Sequence, residues 1–174
     1  MFKRGDLILY GNTGVCRVKD IGTKDMPGAV KNQLYYTLEP LYQAGVIYTP
    51  VDCKVFMRPI ISKEEANRLI DTIPAQEAEI FHSRVLSELS THYEDCLKTH
   101  DCADLIEMTK SLYAKKQSVL SQKRKFGAVD DRFMRRAEDL LFGELAAALG
   151  IERGEVTSYI TSRIGNEDYA SGMM

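Results

Sequence analysis

The chain has 174 residues, 44 % of them hydrophobic and 28 % charged, a make-up that allows a self-sufficient core and excludes the disordered, collagen-like and disulfide-scaffold classes. No apolar run approaches the roughly 20 residues that span a bilayer, and Gly5 and Asp6 interrupt any apolar leader, so cytoplasmic residence is expected. The formal net charge of −2 hides a segregation into +3 over residues 1–60, −6 over 61–110, +6 over 111–136 and −5 over 137–174; one cationic stretch inside an acidic chain is the pattern of a phosphate-facing surface.

The first sixty residues carry strand signals. Asp6–Tyr10 is β-rich and ends in Gly11-Asn12-Thr13-Gly14, a turn composition tolerant of positive φ. Val15–Ile21 alternates apolar and polar residues, Leu34–Leu38 follows the Pro27-Gly28 turn, and Val46–Pro50 and Lys54–Arg58 complete five short strands. With no helix-length segment between them, they predict a small antiparallel SH3/Tudor-like barrel.

Beyond Ile60-Ile61-Ser62 the period becomes helical. Ser62-Lys63-Glu64-Glu65 fits a capping box, and Ala66, Leu69, Ile70 and Ile73 continue at helical spacing to Pro74. The spacing then predicts helices over Glu77 to about Tyr93, with Ile80, Phe81, Val85, Leu86 and Leu89 as the apolar side, and from near Asp101 to about Gln122. A fourth, N-capped by Asp130, carries Phe133 to Leu149 and stops at Gly150; Glu152–Ile164 makes the last. The expectation is an α+β chain: a β-barrel over 1–60, a helical domain over 61–165 and a flexible tail over 166–174.

Two segments resemble the opening of a known domain. Phe2-Lys3-Arg4-Gly5-Asp6-Leu7-Ile8-Leu9-Tyr10 and Gly14-Val15-Cys16-Arg17-Val18-Lys19-Asp20-Ile21 are similar to the start of the RNA-polymerase-interacting domain shared by CarD/CdnL-type transcription regulators and transcription-repair coupling factor. Leu34–Leu38, Thr49-Pro50-Val51 and Leu141-Phe142-Gly143-Glu144-Leu145-Ala146 fall where that family has corresponding patterns. The resemblance implies a non-enzymatic bacterial transcription regulator without cofactor. Its barrel would hold the β subunit of RNA polymerase while its helical domain meets promoter DNA on the nucleoid and shifts open-complex stability. By position, the polymerase contacts fall on Lys24, Met26 and Tyr48, where Tyr48 replaces a basic residue. The family's DNA wedge is a tryptophan; this chain has none, and Leu89 stands in its place, followed by Thr91, His92 and Glu94 where the family is basic.

The residues support that picture independently. A small barrel with exposed edges suits β-augmentation by a partner strand, and such edges also admit a domain-swapped dimer beside the monomer. Lys115, Lys116, Lys123, Arg124, Lys125, Arg132, Arg135 and Arg136 flank the Phe126–Val129 turn and predict a sequence-independent phosphate contact. The competing expectation is a solvated basic turn. The acidic stretches leave a second reading, an adaptor whose helices recruit a protein instead of DNA.

Other signals point less far. His92, Cys96 and His100 fall at i, i+4 and i+8 with Cys102 near, but an i, i+8 pair lies roughly 12 Å apart along a helix, too far to share one zinc. Four cysteines without a Cys-x-x-Cys pair are expected as reduced thiols. Tyr10, Tyr35, Tyr36, Tyr42 and Tyr48 offer an aromatic cage or, more simply, strand packing. No phosphate-binding loop, nucleophile elbow or His-Glu-x-x-His helix is present.

Overall fold

The structure, a computed structural model, describes residues 1–75 and 77–165; the expected flexible tail over 166–174 lies outside the described residues. The chain divides into two compact units that meet at Ile61 and Ser62.

In the first unit, strands β1 (Leu7–Tyr10), β2 (Gly14–Gly22), β3 (Tyr35–Pro40), β4 (Ile47–Pro50) and β5 (Met57–Pro59) form one antiparallel sheet in the order β4-β3-β2-β1-β5. The tight β1–β2 connection uses Gly11 and Gly14 at φ 46° and 96°. A Cβ on Gly11 would also press within 3.0 Å of Val55, so glycine is doubly required there. A bulge between Val18 and Asp20 shifts the β2–β3 register and bends the sheet. Ile8, Cys16, Val18, Tyr36 and Leu38 form its core, with Phe2, Tyr10, Ile47 and Met57 packed around them. The Tyr10 hydroxyl donates to Thr49 Oγ1 at 3.3 Å, joining β1 to β4 across two intervening strands, so the sheet is curled.

It is not closed. The expected barrel is an open curled sheet, because β4 and β5 remain its two edges and no pairing joins them among the described residues. Four residues on one edge, ending in Pro50, and three on the other, ending in Pro59, supply too few main-chain donors to seam it. The fifth strand is accordingly shorter than Lys54–Arg58: Val55 and Phe56 sit in the preceding turn, both exposed.

The second unit holds α1 (Lys63–Thr72), α2 (Leu86–Lys98), α3 (Cys102–Ser121), α4 (Ala128–Leu149) and α5 (Val156–Ile164), with 3₁₀ turns at Ile73–Ala75 and Arg153–Glu155. Ser62 caps α1 by accepting from Glu65 N–H at 3.1 Å, and Asp101 caps α3 by accepting from Ala103 N–H at 2.8 Å. Helix α4 is central and packs on α1, α2, α3 and α5. It can do so because Phe133, Met134, Ala137, Leu141, Leu145 and Leu149 clothe it on more than one side.

Two expectations about these helices are corrected. Residues 77–85 are not helical; α2 begins only at Leu86. The segment is a strap whose carbonyls find partners on α3 and so need no helical ladder: Ser111 Oγ donates to Glu79 O, and Lys115 Nζ to Phe81 O at 3.0 Å. Ser83 then ends the strap by accepting from Val85 N–H at 3.0 Å and donating to Glu88 at 2.6 Å. Second, α4 starts at Ala128 behind Gly127, and Asp130 is no N-cap. Its carboxylate is buried inside the domain and engaged by side chains from other helices.

Candidate functional site

Two surfaces collect the expected residues, one in each unit. In the sheet, β4 pairs only with β3, so the outward main-chain groups of Ile47–Pro50 lack a strand partner among the described residues. Tyr48 stands on this edge at 48 % exposure, flanked by exposed Val46 and Leu34. Lys24 reaches it from the loop after β2: its Nζ lies 5.6 Å from the centre of the Tyr48 ring and 3.5 Å from Asp20, which also pairs with Arg4 at 2.6 Å. That arrangement holds the Asp20 carboxyl below its usual range, through the Arg4 hydrogen bond first. Met26, half-buried, lies in the same loop, where its carbonyl accepts from Ala29 N–H at 3.1 Å. The structure thus brings Lys24 and Tyr48 together at one free edge.

The opposite edge is poorly suited to a strand. β5 is three residues long and contains Pro59, which has no N–H to donate. The tyrosines do not form a cage. Tyr35 and Tyr36 are buried with their hydroxyls accepting from Val30 and Phe2 N–H groups, and Tyr10 bonds Thr49.

In the helical unit the basic cluster divides. Lys115 is buried at 7 % exposure: its Nζ contacts Asp130 at 3.0 Å and the Phe81 carbonyl at 3.0 Å, while the Tyr93 hydroxyl donates to Asp130 at 2.5 Å. Burial and the neighbouring Asp130 carboxylate keep the Tyr93 phenol neutral. Lys115 is therefore a core ion pair and is unavailable to a phosphate. Leu89 is buried too, at 5 %, on the face of α2 that also buries Tyr93 and Leu97, so it cannot insert into a base step. Both assignments to nucleic acid are corrected, and the cause is the same: helical spacing places these positions on the inward side.

The remaining cations stay outside. Lys123, Arg124 and Lys125 are exposed in the α3–α4 turn. Lys123 N–H bonds Leu120 O at 3.0 Å and Arg124 N–H bonds Val119 O at 2.9 Å, a Schellman closure that places Lys123 in the left-handed region at φ 55°. Lys116 lies 5.8 Å from the Phe126 ring centre and Arg132 5.1 Å from that of Phe133. Arg135 is exposed but tied to Asp131 at 3.1 Å, and Arg136 is half-buried. Because Lys115 bonds both Phe81 and Asp130, the strap, the late turns of α3 and the start of α4 meet at one end of the unit. Val85 and Leu86, expected in the apolar face of a longer helix, are instead 50 % and 63 % exposed where the strap enters α2. Ser83 ahead of Glu88 was the signal for that late start.

The candidate zinc ligands do not converge. His92 stacks on Phe81 with ring centres 3.8 Å apart, and Cys102 Sγ donates to the buried Glu144 at 3.1 Å. Among the described residues no three His, Cys, Asp or Glu side chains are grouped to hold a metal. None of the described helices is long and apolar enough to cross a membrane.

A small open sheet with one unpaired edge among the described residues, joined to a separate helical unit, has the geometry that β-augmentation uses. Residues 2–61 match the family described as the CarD-like/TRCF RID domain, and the first unit is an RNA-polymerase-interacting domain of that family. The match ends at the unit boundary, so the helical unit, with its Leu141–Ala146 segment, lies outside it. Comparison of the whole chain with curated proteins finds no match.

Proposed function

We propose that the chain is a transcription regulator that docks on the β subunit of bacterial RNA polymerase by adding the β4 edge to a strand of that subunit. The observation that carries this reading is the free edge of Ile47–Pro50 with Lys24 and Tyr48 joined beside it, inside a domain of the polymerase-interacting family. Main-chain bonds along the edge supply affinity, and the ammonium over the phenol ring selects an acidic or aromatic side chain beside the added strand. Lys24→Glu with Met26→Glu is expected to abolish co-purification with polymerase from bacterial lysate; undiminished recovery removes the docking site.

The helical unit, in the same reading, offers promoter DNA the end formed by Lys123, Arg124, Lys125 and Arg132. Val85 and Leu86, exposed where the strap enters α2, take in this reading the role that Leu89 was expected to fill, an apolar pair able to press against an opened base step. Regulation then follows from differential contact: the protein shifts the closed-to-open balance only by as much as these contacts differ between the two complexes. Replacing Lys123, Arg124 and Lys125 by Ala is expected to lower the salt slope of duplex affinity by about 0.9 for each phosphate that is no longer neutralised, leaving polymerase recovery intact. An unchanged slope removes the turn from the interface.

A further inference from the structure

A groove on the helical unit has a character opposite to the basic turn. A hollow of about 430 Å³ lies between the strap, α2 and α3, floored by Ile80, Tyr93 and Met108. A second hollow of about 340 Å³ adjoins it along α2 beside Ser87 and Thr91. Phe81, His92 and Asp95 line both, so the stacked Phe81 and His92 rings stand between two connected depressions.

Five carboxylates border the pair: Glu79, Asp95, Asp104 and Glu107 on the larger, Glu88 and again Asp95 on the smaller. Lys98, exposed, stands 3.7 Å from Asp95, and Arg84 is exposed in the strap beside Ser83, which bonds Glu88. The carboxylates act on a common point: the Cys96 thiol in the larger hollow is pushed up by burial first, then by Asp104, Glu107 and Asp95 together. Phosphates are repelled by such a border, and no three side chains here are grouped for a metal among the described residues. What fits is a cation on an apolar stem. A guanidinium can meet carboxylates in paired hydrogen bonds and lie against an aromatic ring while its methylenes cover the floor.

We propose that this groove receives an extended segment of a partner protein bearing two basic side chains, one for each hollow. Alternate residues of an extended chain project to one side about 7 Å apart, which suits adjoining depressions that share a wall. A free small cation in the larger hollow would leave the smaller one, with Glu88, unfilled. The surface lies outside the polymerase-interacting domain, and the inference does not depend on the β4 edge or on DNA contact.

The test is fluorescence anisotropy of the full chain with a labelled, end-capped Ala-Arg-Ala-Arg-Ala peptide and its citrulline counterpart, which keeps the shape without the charge. The arginine peptide is expected to bind saturably, to weaken with added salt, and to lose about tenfold or more in affinity on Asp104→Asn with Glu107→Gln. Replacing Lys123, Arg124 and Lys125 by Ala is expected not to weaken it. Absence of saturable binding, equal binding of the citrulline peptide, or full affinity in the doubly substituted chain overturns the proposal. So does free agmatine binding as tightly as the peptide, which would make the hollow a small-molecule site. Should the double substitution lower the melting temperature, Glu79→Gln on the strap serves in its place with the same outcomes.

Discussion

The two units handle polar side chains in opposite ways. The sheet keeps an apolar interior, Ile8, Cys16, Val18 and Leu38 with Thr49 bonded to Tyr10, and places its charges outside, as in Arg4–Asp20 and Lys19–Glu39. The helical unit takes charge inside: Lys115, Asp130 and Glu144 are all below a tenth exposed, and Thr109 is fully buried. A sheet with one buried face sorts residues by alternation alone, whereas a central helix such as α4, packed on four neighbours, buries positions all round and must satisfy whatever polar groups fall there. The docking proposed for the first unit therefore falls on a free edge. In the second, part of the apparent functional surface is taken up by the core.

The largest test of that contrast is the Lys115–Asp130 pair. Lys115→Ala leaves a buried carboxylate held by Tyr93 alone among the described residues, and is expected to cost about 3–5 kcal/mol in urea denaturation. Lys115→Met with Asp130→Leu, which removes both charges, is expected to recover most of that loss. If Lys115→Ala costs no more than an exposed pair such as Lys19–Glu39, worth about 0–1 kcal/mol, the buried pair has no special standing.

Glu138 sharpens the same contrast through pH. Its Oε1 is buried without a hydrogen-bond partner, and its carboxyl is pushed up from 4.5 to about 7 by burial first and by Asp139 next. Lys116 and Arg135 oppose the shift, and Asp131 adds to it. The folded chain thus holds this proton more tightly than the unfolded one, and stability is expected to fall as pH rises from about 4.5 to about 7, then to level off. Glu138→Gln is expected to flatten that descent in melting curves taken across the interval. A descent that survives the substitution assigns it to other groups.

The fold was legible to the degree that local chemistry matched tertiary demand. Five strands, the Ser62 cap, the start of α3 near Asp101 and the Gly150 stop are written in turn residues, alternation and capping side chains, all of which act within a few positions. Closure of the sheet was not, because it depends on main-chain donors at two edges distant in sequence, one bearing Pro59. The strap over residues 77–85 reads as helix by apolar spacing, and only Ser111 and Lys115 of another helix make its extended form stable. Family resemblance singled out Lys24 and Tyr48, which the structure brings together beside the β4 edge where docking is proposed. In the basic cluster, counting charges could not separate Lys115 from Lys123, since burial is decided by which way α3 faces. The acidic groove escaped notice because its carboxylates come from the strap and two helices, and no linear motif unites them.

The smallest effect expected concerns Lys123, and its sign separates stability from function. The Schellman closure of α3 puts this residue at φ 55°, where glycine is at ease and a side chain costs about 1–2 kcal/mol. Lys123→Gly relieves that cost but gives the unfolded chain more freedom, so the net gain is expected to be about 1 kcal/mol or less, read as a raised urea midpoint. The same substitution removes one exposed cation from the turn, and duplex affinity is expected to fall with a salt slope reduced by about 0.9. A strained position kept for its charge should therefore respond in opposite directions, a tighter fold with weaker DNA binding, whereas a turn retained only as a helix stop should gain stability with no change in affinity. A midpoint that falls would show instead that the Lys123 side chain holds the turn, and would remove strain from the account.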